Sequence, residues 1–121
     1  MLDQMGFRDI EVGTERLVLE VDNRPDLANR RGALQGGLVA TLNDIAAGRL
    51  AGELVSADQD VTTADMTVHF LAPIVDGPAR AVASVVRAGK RIIVTSVDVI
   101  DAGRDRLAAR ATVSFAVLDR R

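Results

Sequence analysis

The spacing of apolar positions changes along the chain, and the changes mark out its elements. "TERLVLEVD" alternates, with Leu17, Leu19 and Val21 on one side and Arg16, Val18, Glu20 and Asp22 on the other, which predicts a half-buried strand. "NRPDLANRRG" is rich in Pro, Asn, Arg and Gly and predicts a loop with room for one helical turn. From about Gly36 to Leu54 there is no Pro and much Ala and Leu, so helix is expected. Between Gly37 and Gly48 only Thr41, Asn43 and Asp44 are polar, so protein must cover most of that helix. "SADQD" ends it. The β-branched run "VTTADMTVHFLAP" then closes at Pro73, and "IVDGPAR" is a turn. "ARAVASVVRAG" and "KRIIVTSVDVID" are expected strands joined tightly at Ala88–Gly89. After the turn "AGRD", "RLAARATVSFAVL" places Leu107, Ala109, Ala111, Val113, Phe115 and Val117 on one face.

The order is one strand, one long helix and four further strands, expected as a meander. It predicts a single α+β domain over residues 1–121, with a curved antiparallel sheet wrapped around a central helix. Small residues along the helix (Gly36, Gly37, Ala40, Ala46, Ala47, Gly48) let the sheet approach closely.

Composition narrows the chemistry. The 121 residues are 48% apolar with a net charge of −2, which fits a globular domain and disfavours nucleic acid as a partner. Without cysteine there is no disulfide, thiolate metal site or cysteine nucleophile. One histidine excludes a multi-histidine zinc site, and no metal is expected. No apolar run approaches the ~20 residues of a membrane span, and "MLDQMGFRDIE" lacks the order of a signal peptide, so a cytoplasmic protein without membrane contact is expected. Three Phe, no Trp and no Tyr leave the core to aliphatic residues.

Asp44 is the position that demands a reason. A carboxylate within an apolar helix is costly unless paired, neutralised or used. Arg49 or Asn43 could satisfy it, whereas capping does not apply two turns past the helix start. Gly36 and Gly37 admit two readings, a close-packed helix entrance or free N–H groups at the positive end of the dipole, suited to an oxyanion. Eight residues separate Gly36 from Asp44, about 12 Å along one helix, so one reacting group cannot touch both in the same chain. If both act on one substrate, the acid must come from a second chain.

The stretch "N-R-R-G-A-L-Q-G-G-L-V-A-T-L-N-D" resembles the hotdog-fold acyl-CoA thioesterases, most nearly their phenylacetate-pathway (PaaI-like) branch. The family pattern is Asn-x-x-Gly-x-x-His-Gly-Gly with an acid seven residues after the second glycine. Asn29, Gly32, Gly36, Gly37 and Asp44 fall on it, and Gln35 replaces the histidine. "TTADMTVHFLAP" resembles the strand after the family's helix, with Thr63 at its Ser/Thr position, and the likeness extends over roughly residues 12 to 118. It implies a hotdog fold and a homodimer with two sites at its seam, often doubled into a tetramer.

The site implied for an acyl-CoA substrate has Asp44 as general base or nucleophile and Thr63 beside it positioning water. Gly36 of the partner chain supplies the oxyanion N–H, with Asn29 and Gln35 along the same side. A glutamine amide donates a hydrogen bond but cannot exchange a proton. Coenzyme A enters as part of the substrate, and no other cofactor is implied. Lys90, Arg91 and Arg87 around the hairpin are candidates for its phosphates, with Arg30 and Arg31 as further ones. His69, between Val68 and Phe70, reads as structural. The alternative is a non-catalytic hotdog protein that binds acyl-CoA or a small aromatic acid; a hotdog dehydratase and a DNA-binding regulator fit less well.

Overall fold

A computed structural model describes residues 6–120. Its elements are β1 (Arg8–Glu11), β2 (Arg16–Val21), α1 (Gly36–Glu53), β3 (Gln59–Phe70), β4 (Ala79–Ala88), β5 (Ile92–Asp101) and β6 (Arg106–Asp119). The strands form one antiparallel sheet in the order β1-β2-β4-β5-β6-β3, curved around α1. The α+β hotdog architecture is as expected. Two details differ. The short exposed strand β1 extends the sheet, and the four later strands are not a meander: only β4, β5 and β6 follow in sequence, while β3 pairs with β6 at the far edge.

Small residues on both sides bring helix and sheet together. Ala46 and Ala47 of α1 and Ala79, Ala81, Ala83, Ala109 and Ala111 of the sheet are buried, with Leu17, Leu19, Leu42, Leu50 and Val97 filling between them. The Phe115 ring lies 3.6 Å from where a Cβ on Gly48 would be, which places the ring directly against the helix backbone. Val18 and Glu20, expected on the wetted side of β2, are also buried. Glu20 lies between Arg8 and Arg80, its carboxylate 3.4 and 2.6 Å from their guanidinium nitrogens.

One buried acid organises the turns at one end of the sheet. Asp101 ends β5 without solvent exposure, and its carboxylate accepts N–H bonds from Val75 (3.0 Å), Asp76 (3.3 Å) and Gly77 (2.8 Å). Burial pushes its pKa up, but these donors, with the Gly103 N–H, outweigh it and hold the carboxyl below its ordinary value. Gly77 has φ +73°, and a Cβ on Gly103 would come within 2.7 Å of the Gly77 carbonyl oxygen, so the two turns meet where only glycine fits.

Candidate active site

Helix α1 begins without a side-chain cap. Gln35 is extended (φ −59°, ψ 139°), and its carbonyl accepts the N–H groups of Leu38 and Val39. The N–H groups of Gly36 and Gly37 have no acceptor among the described residues, and no acid stands in the first turn to compete for them. That is the free positive helix end an oxyanion requires. Asn29 is oriented by its own loop: its Oδ1 accepts the N–H groups of Arg31 (2.9 Å) and Ala33 (3.1 Å), which leaves the amide NH2 free to donate. Both Asn29 and Gly36 line an apolar cavity of about 390 Å³ together with Leu34, Val39, Phe70 and Ile74. Gln35 is exposed at the helix start and does not line it.

Further along the helix, Asp44 is half-buried and accepts the Thr63 hydroxyl proton at 2.8 Å. Its neighbours Arg49 and Asn43 are occupied elsewhere. Arg49 pairs with Asp9 on β1, where it holds the Asp9 carboxyl below its usual range, and Asn43 donates to the Val39 carbonyl at 2.8 Å. Among the described residues, the Asp44 carboxylate is therefore left to the Thr63 hydroxyl of β3.

Thr63 reaches Asp44 because of a β-bulge. Thr63 pairs with Phe115 and Asp65 with Ser114, so Ala64 is an extra residue in β3. Met66, Val68 and Phe70 pair with Val113, Ala111 and Ala109, all on the helix side. With strict alternation Thr63 would face away from them; the extra residue returns it to the same face, beneath Asp44. The bulge, not the strand as such, aims the hydroxyl.

A second bulge acts on the hairpin. Val85 pairs with Thr95 and Arg87 with Val94, which turns Arg87 to the outer face of the sheet. Arg87 and Arg91 line one cleft of about 400 Å³ with Gly89, Ile92 and Val94, and Lys90 stands exposed at the turn beside it. Among the described residues Arg87, Lys90, Arg91, Arg30 and Arg31 have no acidic partner. Arg8, Arg16, Arg24, Arg49, Arg80, Arg104, Arg110 and Arg120 are all ion-paired, and Arg106 donates to the Pro73 carbonyl.

The structure thus brings Asp44 together with Thr63 and Gly36 together with Asn29, and the two groups lie at different points along α1. Sequence reasoning missed Phe70 and Asp101. Phe70 is the aromatic ring nearest the helix entrance, its edge 3.6 Å from where a Cβ on Gly36 would lie. In the sequence it appears only as the last residue before a proline-terminated turn. Asp101 reads there as the last residue of an expected strand.

Comparison with known proteins places the fold. The family model of the thioesterase superfamily (4HBT) matches residues 31–108, and the chain belongs to that superfamily. A Saccharolobus solfataricus protein named "putative esterase" is 32% identical over 103 residues, covering 85% of this chain and 72% of its own. The structure of a thioesterase family protein from Silicibacter pomeroyi superposes with a TM-score of 0.90 at 26% identity, covering 98% of this chain and 88% of that one. A Bacillus halodurans protein crystallised with CoA is 31% identical with a TM-score of 0.78, over 84% of this chain and 66% of its own. The fold and family are those of thioester hydrolases.

Proposed function

We propose that the protein hydrolyses an acyl- or aryl-CoA thioester to free acid and CoA at sites shared across a homodimer. The observation that carries this reading is the Thr63–Asp44 pair, a half-buried carboxylate held by a hydroxyl on the neighbouring strand. Asp44 serves as general base on a water, or as nucleophile, toward the thioester carbonyl, and Thr63 holds the geometry. The Gly36 N–H of the second protomer receives the developing oxyanion, with the free Asn29 amide as a second donor and Gln35 at its side.

The dimer has a physical motive. β3 is twelve residues long and pairs with β6 on one side only. Its other edge exposes a row of unpaired backbone groups, with Met66 and Phe70 exposed along it. An edge this long invites a second strand, and β3 of a second copy, antiparallel about a two-fold axis, is the self-complementary choice. The helices then run antiparallel, and Asp44 of one chain approaches Gly36 of the other. Doubling into a tetramer completes the assembly.

Lys90, Arg91 and Arg87 meet the CoA phosphates, supported by their freedom from acidic partners and by the CoA bound to the Bacillus halodurans relative. Among the described residues no helix is long and apolar enough to cross a membrane. Water is the second reactant, and the reaction requires no cofactor beyond the substrate's CoA.

Gln35 favours a second reading, a protein that binds acyl-CoA or a small aromatic acid without turnover, because it cannot deliver a proton to the leaving group. A thiolate leaves readily without one, so slower or differently selective hydrolysis is expected instead. The test is release of free thiol from a panel of acyl-CoAs by the native protein, Asp44→Asn and Gln35→His. Native turnover lost in Asp44→Asn supports the mechanism, and an Asp44→Asn protein as active as native sinks it. Binding without thiol release selects the second reading.

A further inference from the structure

The cavity beside Gly36 has a chemistry of its own. Apart from Asn29 its lining is apolar, contributed by Leu34, Val39, Phe70, Leu71 and Ile74 among others, and none of its lining residues is charged. Its far wall is fixed. The Asn23 amide donates to the carbonyls of Gly32 (3.0 Å), Ile74 (3.3 Å) and Val75 (3.0 Å), the Leu34 N–H bonds the Ile74 carbonyl, and Asp101 clamps the turn beyond. Leu71 and Ala72 are tied to the Ala108 carbonyl. Phe70 differs. It ends the edge strand with 59% of its surface exposed, and its ring edge lies 3.6 Å from where a Cβ on Gly36 would be.

We infer that this cavity receives the acyl group of the substrate and that Phe70 determines which acyl group fits. The inference rests on the thioesterase reading above and adds the substrate class: an uncharged, apolar aliphatic or aryl acyl group. A carbonyl held at the Gly36 N–H points its acyl carbon chain into the cavity, between the Phe70 ring and the fixed wall formed by Leu34 and Ile74. A dicarboxylyl or aminoacyl group would bury a charge there with no partner and is rejected. Removing the ring lengthens the cavity toward the free edge of β3, and enlarging it shortens the cavity. Phe70 lies outside the buried core of the protomer, and size-exclusion chromatography of both variants checks that their assembly matches the native one.

The experiment measures kcat/KM for straight-chain acyl-CoAs of increasing length, phenylacetyl-CoA and succinyl-CoA with native protein, Phe70→Ala and Phe70→Trp. Binding of the same CoA esters is measured by calorimetry in parallel. For the native protein both quantities rise about fourfold per methylene until the cavity is filled and then fall. Phe70→Ala moves the optimum to longer chains, Phe70→Trp moves it to shorter ones, and succinyl-CoA is the poorest ligand throughout. An optimum that stays put in both variants, or a preference for succinyl-CoA, overturns the inference. Absence of turnover in the native protein defeats the thioesterase reading alone, because the binding profile then still moves, or fails to move, with Phe70.

Discussion

Replacing Asp101 by Asn keeps the size and shape of the side chain and removes its charge. The native carboxylate accepts three backbone N–H groups of the 75–77 turn, at 2.8 to 3.3 Å, without access to solvent. An amide offers one oxygen, and its NH2 must face at least one of these donors. Bonds to a charged acceptor are worth about 1.5–3 kcal/mol each, and a buried unpaired N–H costs about 1–3 kcal/mol, so the substitution should destabilise by about 3–5 kcal/mol. For a domain of this size that is a fall in Tm on the order of 10–15 °C, measured by calorimetry at pH 7. The pH dependence adds a signed check. The folded-state pKa of Asp101 is depressed, so its stabilisation is fully present above the ordinary carboxylate value of about 4 and is lost as pH falls through the lower folded value. The gap between native and Asp101→Asn should therefore be constant from neutral pH down to about 4 and shrink below it. An Asp101→Asn protein melting within about 3 °C of native at pH 7, or a gap that widens in acid, would refute the clamp.

Other outcomes follow from the same contacts. Thr63→Val removes the hydroxyl that bonds Asp44 and should lower kcat about tenfold with KM little changed, while Thr63→Ser restores most of the loss; steady-state kinetics decide it. Asn43 is fully buried and its Oδ1 has no partner among the described residues, so Asn43→Leu should raise stability by about 1 kcal/mol or more in urea unfolding. Arg91→Ala and Lys90→Ala should raise KM for acyl-CoA without a matching fall in kcat, and should reduce the salt dependence of binding. Gln35→His introduces a group that titrates near pH 6.5 and should add a limb to the pH–rate profile there, absent from the native protein.

What the sequence discloses divides along physical lines. The helix was legible because eighteen residues without proline carry small apolar side chains, and the structure runs it from Gly36 to Glu53. Asp44 was legible because a carboxylate in such a segment needs a reason, and Thr63 through its place in the family pattern. The position of β3 at the edge was not, since strand pairing is a choice between distant segments and nothing within "VTTADMTVHF" names β6 as its partner. The bulge at Ala64 is a matter of one residue's backbone, invisible to a pattern of alternation. β1 is four exposed residues with no apolar face to announce it. Phe70 gains its meaning only when the fold brings its ring near Gly36, 34 positions away in the chain.

The central claim is that Asp44 and Gly36 act together from different chains. Gly36→Pro removes the proposed oxyanion N–H at the first helical position, where proline is tolerated. Asp44→Asn removes the acid. Each variant alone should be inactive toward acyl-CoA. Unfolded together in equal amounts and refolded, they should regain about a quarter of native activity, because half of the dimers are mixed and each mixed dimer holds one intact site of two. Recovery to that level is the predicted result; a refolded mixture as inactive as its parents would contradict it.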